Sequence, residues 1–187
     1  MDRIQNAALL LKLIELLRVL GNWCGETHVQ KATFFLKDLT QVPMPYDFIL
    51  YKHGPFSFEL RDELTALRAD GLIDLEPQWP YRPRIVPTDR SAYIQEICSQ
   101  TLRKYNACIA FVADKLGGKG VADLERLATA LYVTKRTGAD RSVEERAEEL
   151  RRHKPHITMG GAKSAIVEVD KMMKEAETHM RRGEDEP

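Results

Sequence analysis

Tyr51-Lys52-His53-Gly54-Pro55-Phe56-Ser57-Phe58-Glu59-Leu60 is the stretch whose reading decides the fold. Gly54-Pro55 is a turn signal, because proline fixes its own φ and pushes the preceding residue out of the helical region. Ser57 is a natural N-cap whose hydroxyl accepts from the free N–H groups of a first helical turn. Glu59, inside that turn, suits the positive end of a helix. The spacing predicts a helix to about Asp70, with Phe56, Leu60, Leu64 and Leu67 on one face and Gly71 as its stop.

Upstream, Ile4, Ala7, Leu10, Leu11, Ile14 and Leu17 recur at helical spacing, with Lys12, Glu15 and Arg18 on the other face and Gly21-Asn22 at the end. Thr27 and Gln30 read as a capping box for a second helix that buries Val29, Ala32, Leu36 and Leu39. Pro43 and Pro45 close it, and Phe48 to Tyr51 reads as a short extended stretch. Downstream, Leu72-Ile73-Asp74-Leu75 alternates like a half-buried strand, and Arg84 to Thr88 reads as its returning partner. Prolines at 77, 80, 83 and 87 predict an irregular tip rather than a tight two-residue turn. Three helices followed by a hairpin is the order of a winged helix.

The remainder reads as helical. Ile94 to Leu116 implies one long helix stopped by Gly117-Gly118, and Leu124, Leu127, Ala128 and Leu131 mark another. Ser142 and Glu145 form a capping box for a charged helix that Pro155 ends, and a last amphipathic helix follows Gly160-Gly161. The expected fold is mainly α with a minor β part. A winged-helix-like element occupies 1–90, a helical extension packs on it over 91–180, and 181–187 forms a charged, frayed tail.

The 187 residues are 43% hydrophobic and 30% charged, a globular mixture long enough to bury a core without disulfides or metal. Lysine plus arginine and aspartate plus glutamate both number 28, so the basic excess typical of a dedicated nucleic-acid binder is absent. Three scattered cysteines, Cys24, Cys98 and Cys108, point to a reducing, cytoplasmic setting, with Cys98 and Cys108 as core residues. The longest apolar run, Ala7 to Leu11, is far too short to span a membrane.

The pattern Tyr51-x-x-Gly54-Pro55-x-Ser57-x-Glu59-Leu60, ending in Gly71-Leu72-Ile73, resembles the YwgA-like proteins and, more broadly, the Panacea (SocA-associated) domain proteins of bacteria. Gln30-Lys31-Ala32-Thr33-Phe34-Phe35-Leu36 fits the same pattern, and Leu127-Ala128-Thr129-Ala130-Leu131-Tyr132 fits it more loosely. The resemblance implies a helical domain around a winged-helix-like element and no catalytic residues. Some Panacea proteins act as antitoxins or as adaptors that hold another protein. Phe56-Ser57-Phe58 departs from the valine- and proline-containing stretch of many of them, which places this chain nearer the YwgA-like branch.

The outward face of the third helix carries Phe58, Arg61, Asp62, Thr65 and Arg68. With Glu59, Asp62, Glu63 and Asp70 against two arginines, that helix is net acidic, a poor start for phosphate contacts and a better one for a protein surface. The wing adds Trp79, Tyr81, Arg82 and Arg84, aromatics interleaved with arginine that anchor a protein or stack on bases. The competing expectation is that Trp79 and Tyr81 fold back onto the core.

Other features carry less. His153 and His156 lack further ligands for a metal, and His53 with Ser57 lacks both a nucleophile elbow and an orienting third group. Arg146, Arg151, Arg152 and Lys154 alternate with glutamates like a solvated helix laced with ion pairs. Gly117-Gly118-Lys119-Gly120 follows a helix, not a strand, and reads as an interhelical turn rather than a phosphate loop. The expectation is a non-enzymatic, antitoxin-like or adaptor-like protein without cofactor or metal, acting on an unknown protein partner. The alternative is a winged-helix DNA-binding transcriptional regulator. Homodimerisation through a terminal helix suits either.

Overall fold

The structure, a computed structural model, describes residues 1–184, with side chains through Thr178. It is a mainly α fold with two small antiparallel hairpins in its N-terminal half, a winged-helix-like arrangement followed by helices. Two helices form its centre, α1 (Arg3–Val19) and α2 (Glu26–Asp38). Asp2 opens α1 with a capping box. Its carboxylate accepts from Gln5 N at 2.8 Å, and Gln5 Oε1 accepts from Asp2 N. At the other end Gly21, at φ +82°, donates to Arg18 O while Asn22 N donates to Leu17 O, the paired bonds of a Schellman stop. Burial of α1 exceeds one stripe, since Leu9 and Leu13 are fully buried with Leu10 and Ile14, whereas Ile4 is half-exposed. The second helix starts earlier than Thr27. Gly25 is its N-cap, so no Thr27–Gln30 capping box forms, and Gln30 is buried.

A short hairpin follows, β1 (Ile49–Tyr51) against β2 (Gly54–Phe56), with Gly54 and Pro55 in the second strand rather than in the turn. The turn itself is Lys52-His53. Helix α3 (Phe58–Ala69) is capped by Ser57, whose hydroxyl accepts from Leu60 N at 3.2 Å. A second Schellman stop ends it: Gly71, at φ +69°, donates to Arg68 O and Leu72 N donates to Leu67 O.

The wing pairs β3 (Ile73–Gln78) with β4 (Tyr81–Pro87). Gln78 faces Tyr81, so Trp79-Pro80, joined by a cis peptide, does form a tight two-residue turn, and the irregularity lies one step earlier as a bulge between Glu76 and Gln78. Prolines do not shorten this ribbon, because each strand of a two-stranded sheet has an outer edge where an N–H is dispensable. The outer edge of β4 is used at Ile85, whose N–H donates to Cys24 O at 2.9 Å and whose carbonyl accepts from Arg18 Nη1 at 3.3 Å.

The helical part comprises α4 (Asp89–Ile97), α5 (Ser99–Leu116), α6 (Val121–Thr137), α7 (Val143–His153) and α8 (Met159–Glu184). The single long helix expected over 94–116 is broken at Cys98, whose ψ of +20° interrupts the ladder without any glycine or proline nearby. Gly117 and Gly120 bound the turn between α5 and α6, and Ser142 and Glu145 form the capping box of α7. Arg146 and Lys154 are not part of a solvated face. Arg146 is 3% exposed and makes a two-pronged bond to Asp170 of α8, at 2.6 and 2.8 Å. Gly160 and Gly161 lie in the first turn of α8, which continues through 181–184; residues 185–187 of the expected tail lie outside the described residues. A single apolar cluster runs from Ala7 to Ala176, so both halves of the chain contribute to one core. Among the described residues no helix is long and apolar enough to cross a membrane.

Candidate partner-binding face

The motif around Gly54 is a clamp that aims α3. Gln30 Nε2 donates to Ser57 O at 2.9 Å and Gln30 Oε1 accepts from Ser57 N at 3.0 Å, so one buried amide satisfies both polar groups of the capping residue. Lys31 Nζ donates to Pro55 O, and Lys154 Nζ, from the end of α7, donates to Lys52 O, both at 2.8 Å. Gly54 sits at φ +89° against α6. A Cβ there would stand 2.9 Å from Thr129 Oγ1 and 3.4 Å from Glu125 O, so only glycine fits. The stretches at 30–36, 51–60 and 127–132 thus meet at one place.

Burial pushes the Lys31 ammonium down to about 8; Glu125 opposes the shift and Lys154 adds to it. Burial lowers Lys154 as well, again against Glu125. His53 does not face Ser57. Its Nδ1 lies 3.3 Å from Glu125, while the Ser57 hydroxyl donates to Glu59 at 2.8 Å.

Held this way, the outward side of α3 is open. Phe58, Arg61, Asp62, Thr65 and Arg68 are all exposed. Two of the four acids counted over this helix, Glu63 and Asp70, are engaged by Arg3, at 3.1 and 2.8 Å, and Asp62 alone of them stands among the outward residues named. The net-acidic count over the helix therefore does not describe its face. Between this face, the wing and the start of α2 lies a groove of about 570 Å³. Its floor is Leu64, Ile73, Leu75 and Ile85, and Arg61, Arg68 and Arg82 stand around it, with Glu26 as the one lining carboxylate among the described residues.

Five of the residues expected to bind a partner line this one groove: Arg61, Thr65, Arg68, Tyr81 and Arg82. Phe58 belongs to a neighbouring exposed cluster, edge-on to Tyr51 and Phe56 at 5.8 and 5.2 Å, and Arg61 lies over its ring at 5.2 Å. Trp79 projects from the wing tip, 96% exposed, and does not fold back. Tyr81, 69% exposed, meets Trp23 edge-on at 5.3 Å. Arg84 is half-buried over the Trp23 ring at 5.4 Å, outside the groove lining.

Among the further lining residues that the sequence reading does not place in a site are Trp23 and His28. Trp23 lies in Gly21-Asn22-Trp23-Cys24-Gly25, and a tryptophan between glycines next to a helix start was the available signal. His28 reaches the groove because α2 begins at Glu26. It is 4% exposed, burial lowers its pKa, and its Nδ1 is buried without a hydrogen-bond partner among the described residues.

Cys24 is shielded and His153 has an acidic neighbour. Burial pushes the Cys24 thiol up to about 12, against the pull of Arg18 and Arg84. His153 Nε2 lies 3.2 Å from Glu149, and no group of three or more His, Cys, Asp or Glu among the described residues is placed to hold a metal ion. No family model matches this chain, and no curated protein matches it.

Proposed function

We propose that this chain is a non-enzymatic binding protein, adaptor-like or antitoxin-like, that grips a protein partner with the face made by α3 and the wing. One observation carries the reading: a groove with an apolar floor is lined by Trp23, Tyr81 and three arginines, and Arg61 of that lining lies over the exposed Phe58 ring. Open apolar surface rimmed by polar groups marks interaction sites, and aromatic and arginine side chains dominate interface energetics. The resemblance to Panacea proteins supports the same class. Against catalysis stand the shielded Cys24 thiol and a Ser57 hydroxyl committed to its cap.

The test is capture of partners from a native lysate by the full chain and by a Phe58→Ala, Arg61→Ala variant. Both side chains are exposed, so the fold survives. Loss of the captured proteins is expected; an unchanged set overturns the assignment to this face.

DNA binding is the second reading. It is favoured by Arg68 and Arg82, which form no ion pair among the described residues and stand where a winged helix meets a duplex. Binding to random duplex across a salt series separates the two. A phosphate-reading protein loses affinity steeply with salt, whereas the protein-binding reading expects little affinity at moderate salt.

A further inference from the structure

We propose that the groove between α3 and the wing receives an extended peptide segment in which two carboxylates, about three residues apart, bracket apolar side chains. The proposal rests on the protein-binding reading and names its ligand chemistry.

Charge and shape are the argument. Arg61 and Arg68 are seven positions apart on one helix, two turns and roughly 10 Å along its axis. A chain extended as a polyproline II helix advances about 3.1 Å per residue and repeats its side-chain direction every three, so carboxylates three residues apart point the same way and reach both guanidinium groups. Arg82 faces them from the wing. Of the two side chains between the carboxylates, which point in the other two directions, one turns to the apolar floor of Leu64, Ile73 and Ile85.

The far wall adds a second independent feature. Helix α2 begins there at Gly25, which offers no side-chain cap, so its first-turn N–H groups carry the positive end of the helix dipole. His28 in the same wall is 96% buried, as its 4% exposure states, and its Nδ1 lacks a partner among the described residues. A polar or anionic group on the ligand satisfies both.

Two charges oppose an anion. Glu26 lines the groove, and Asp62 lies 3.1 Å from Arg61. The Arg61–Asp62 pair is exposed and therefore weak, so Arg61 is free to exchange partners. A duplex is disfavoured because its affinity comes from many phosphates along a ridge, whereas three arginines here surround an apolar hollow.

The test uses the full chain and fluorescence anisotropy. The probe is a fluorescein-labelled Glu-X-X-Glu peptide pool, with X drawn from Leu, Ile, Val, Phe, Met and Trp, beside the matching Gln-X-X-Gln pool. Saturable binding of the glutamate pool is expected, at least about tenfold tighter than the glutamine pool. Arg68→Gln and Arg82→Gln, at exposed positions that leave the fold intact, should each weaken it by about tenfold. Equal affinity for the two pools, no binding of either, or indifference to both arginine variants overturns the proposal. So does full competition by octanoate, which would make the groove a small-carboxylate site, or by random duplex. If the pools fail while lysate capture still depends on Phe58 and Arg61, the protein-binding reading stands and this ligand assignment falls.

Discussion

Lys31 Nζ lies 2.8 Å from the carbonyl oxygen of Pro55, and the lysine that makes this bond is 1% exposed. A buried cation anchoring the strand that precedes α3 ties the aim of that helix to a titration. Lys31 is pushed down to about 8 in the folded chain, chiefly by burial, with Lys154 reinforcing and Glu125 opposing. An unfolded lysine titrates near about 10.4. Between those values the unfolded chain holds a proton that the folded chain has released, so stability from this group rises with pH across that window. Below about pH 8 both states are charged and the cost of burying the ammonium is fully present. Urea denaturation of the wild type and Lys31→Met at several pH values should show the wild type gaining on the order of 2 kcal/mol relative to the variant. A pH-independent difference would mean that Lys31 is not titrating there.

Gly54→Ala should cost about 2 kcal/mol or more. It adds a Cβ at φ +89° and presses it on Thr129 Oγ1. Thr129→Ala in the same chain removes the contact but not the backbone strain, so the double variant should recover only part of the loss. Full recovery in denaturation midpoints would show that the backbone conformation costs nothing.

Arg146→Met should destabilise by about 2 kcal/mol, because it strands the Asp170 carboxylate that Arg146 holds at both oxygens. Asp170 remains partly open to solvent, which keeps the loss below that of a fully buried pair. Arg146→Lys should rescue little, since a lysine lacks the planar fork. Thermal melts of the three proteins decide it, and a lysine variant matching the wild type would contradict the geometry.

The two tryptophans should separate cleanly in fluorescence. Trp79 is 96% exposed, whereas Trp23 is sheltered between Tyr81 and Arg84. Trp79→Phe should remove most acrylamide-quenchable emission while leaving stability within about 0.5 kcal/mol. Persistent strong quenching in that variant would place Trp23 in open solvent.

Which parts of this were legible in the sequence follows from the range of the forces. Ser57, Gly71, Ser142 and the Gly117–Gly120 turn work through bonds to residues three to six positions away, and each was readable. Gln30 was not. Its amide could cap a helix locally or reach Ser57, 27 positions on, and the distant partner won. Arg146 and Lys154 looked like solvated charges because glutamates surround them in sequence, yet their partners are Asp170 and the Lys52 carbonyl. The acidic count over α3 misled for a related reason: Arg3 takes up Glu63 and Asp70, leaving arginines to define the groove. Of the groove's lining, Arg61, Thr65, Arg68, Tyr81 and Arg82 stand out in the sequence; Trp23 and His28 join it only through the packing of the loop before α2.

The bond from Lys154 to the Lys52 carbonyl joins positions 102 residues apart. During synthesis the hairpin emerges long before the amine that fastens it, and before Glu125 and Thr129, against which Gly54 rests. The hairpin that leads into α3 is therefore fastened only after residue 154 has been made, and a nascent chain ending before that point carries α3 without the support that orients it.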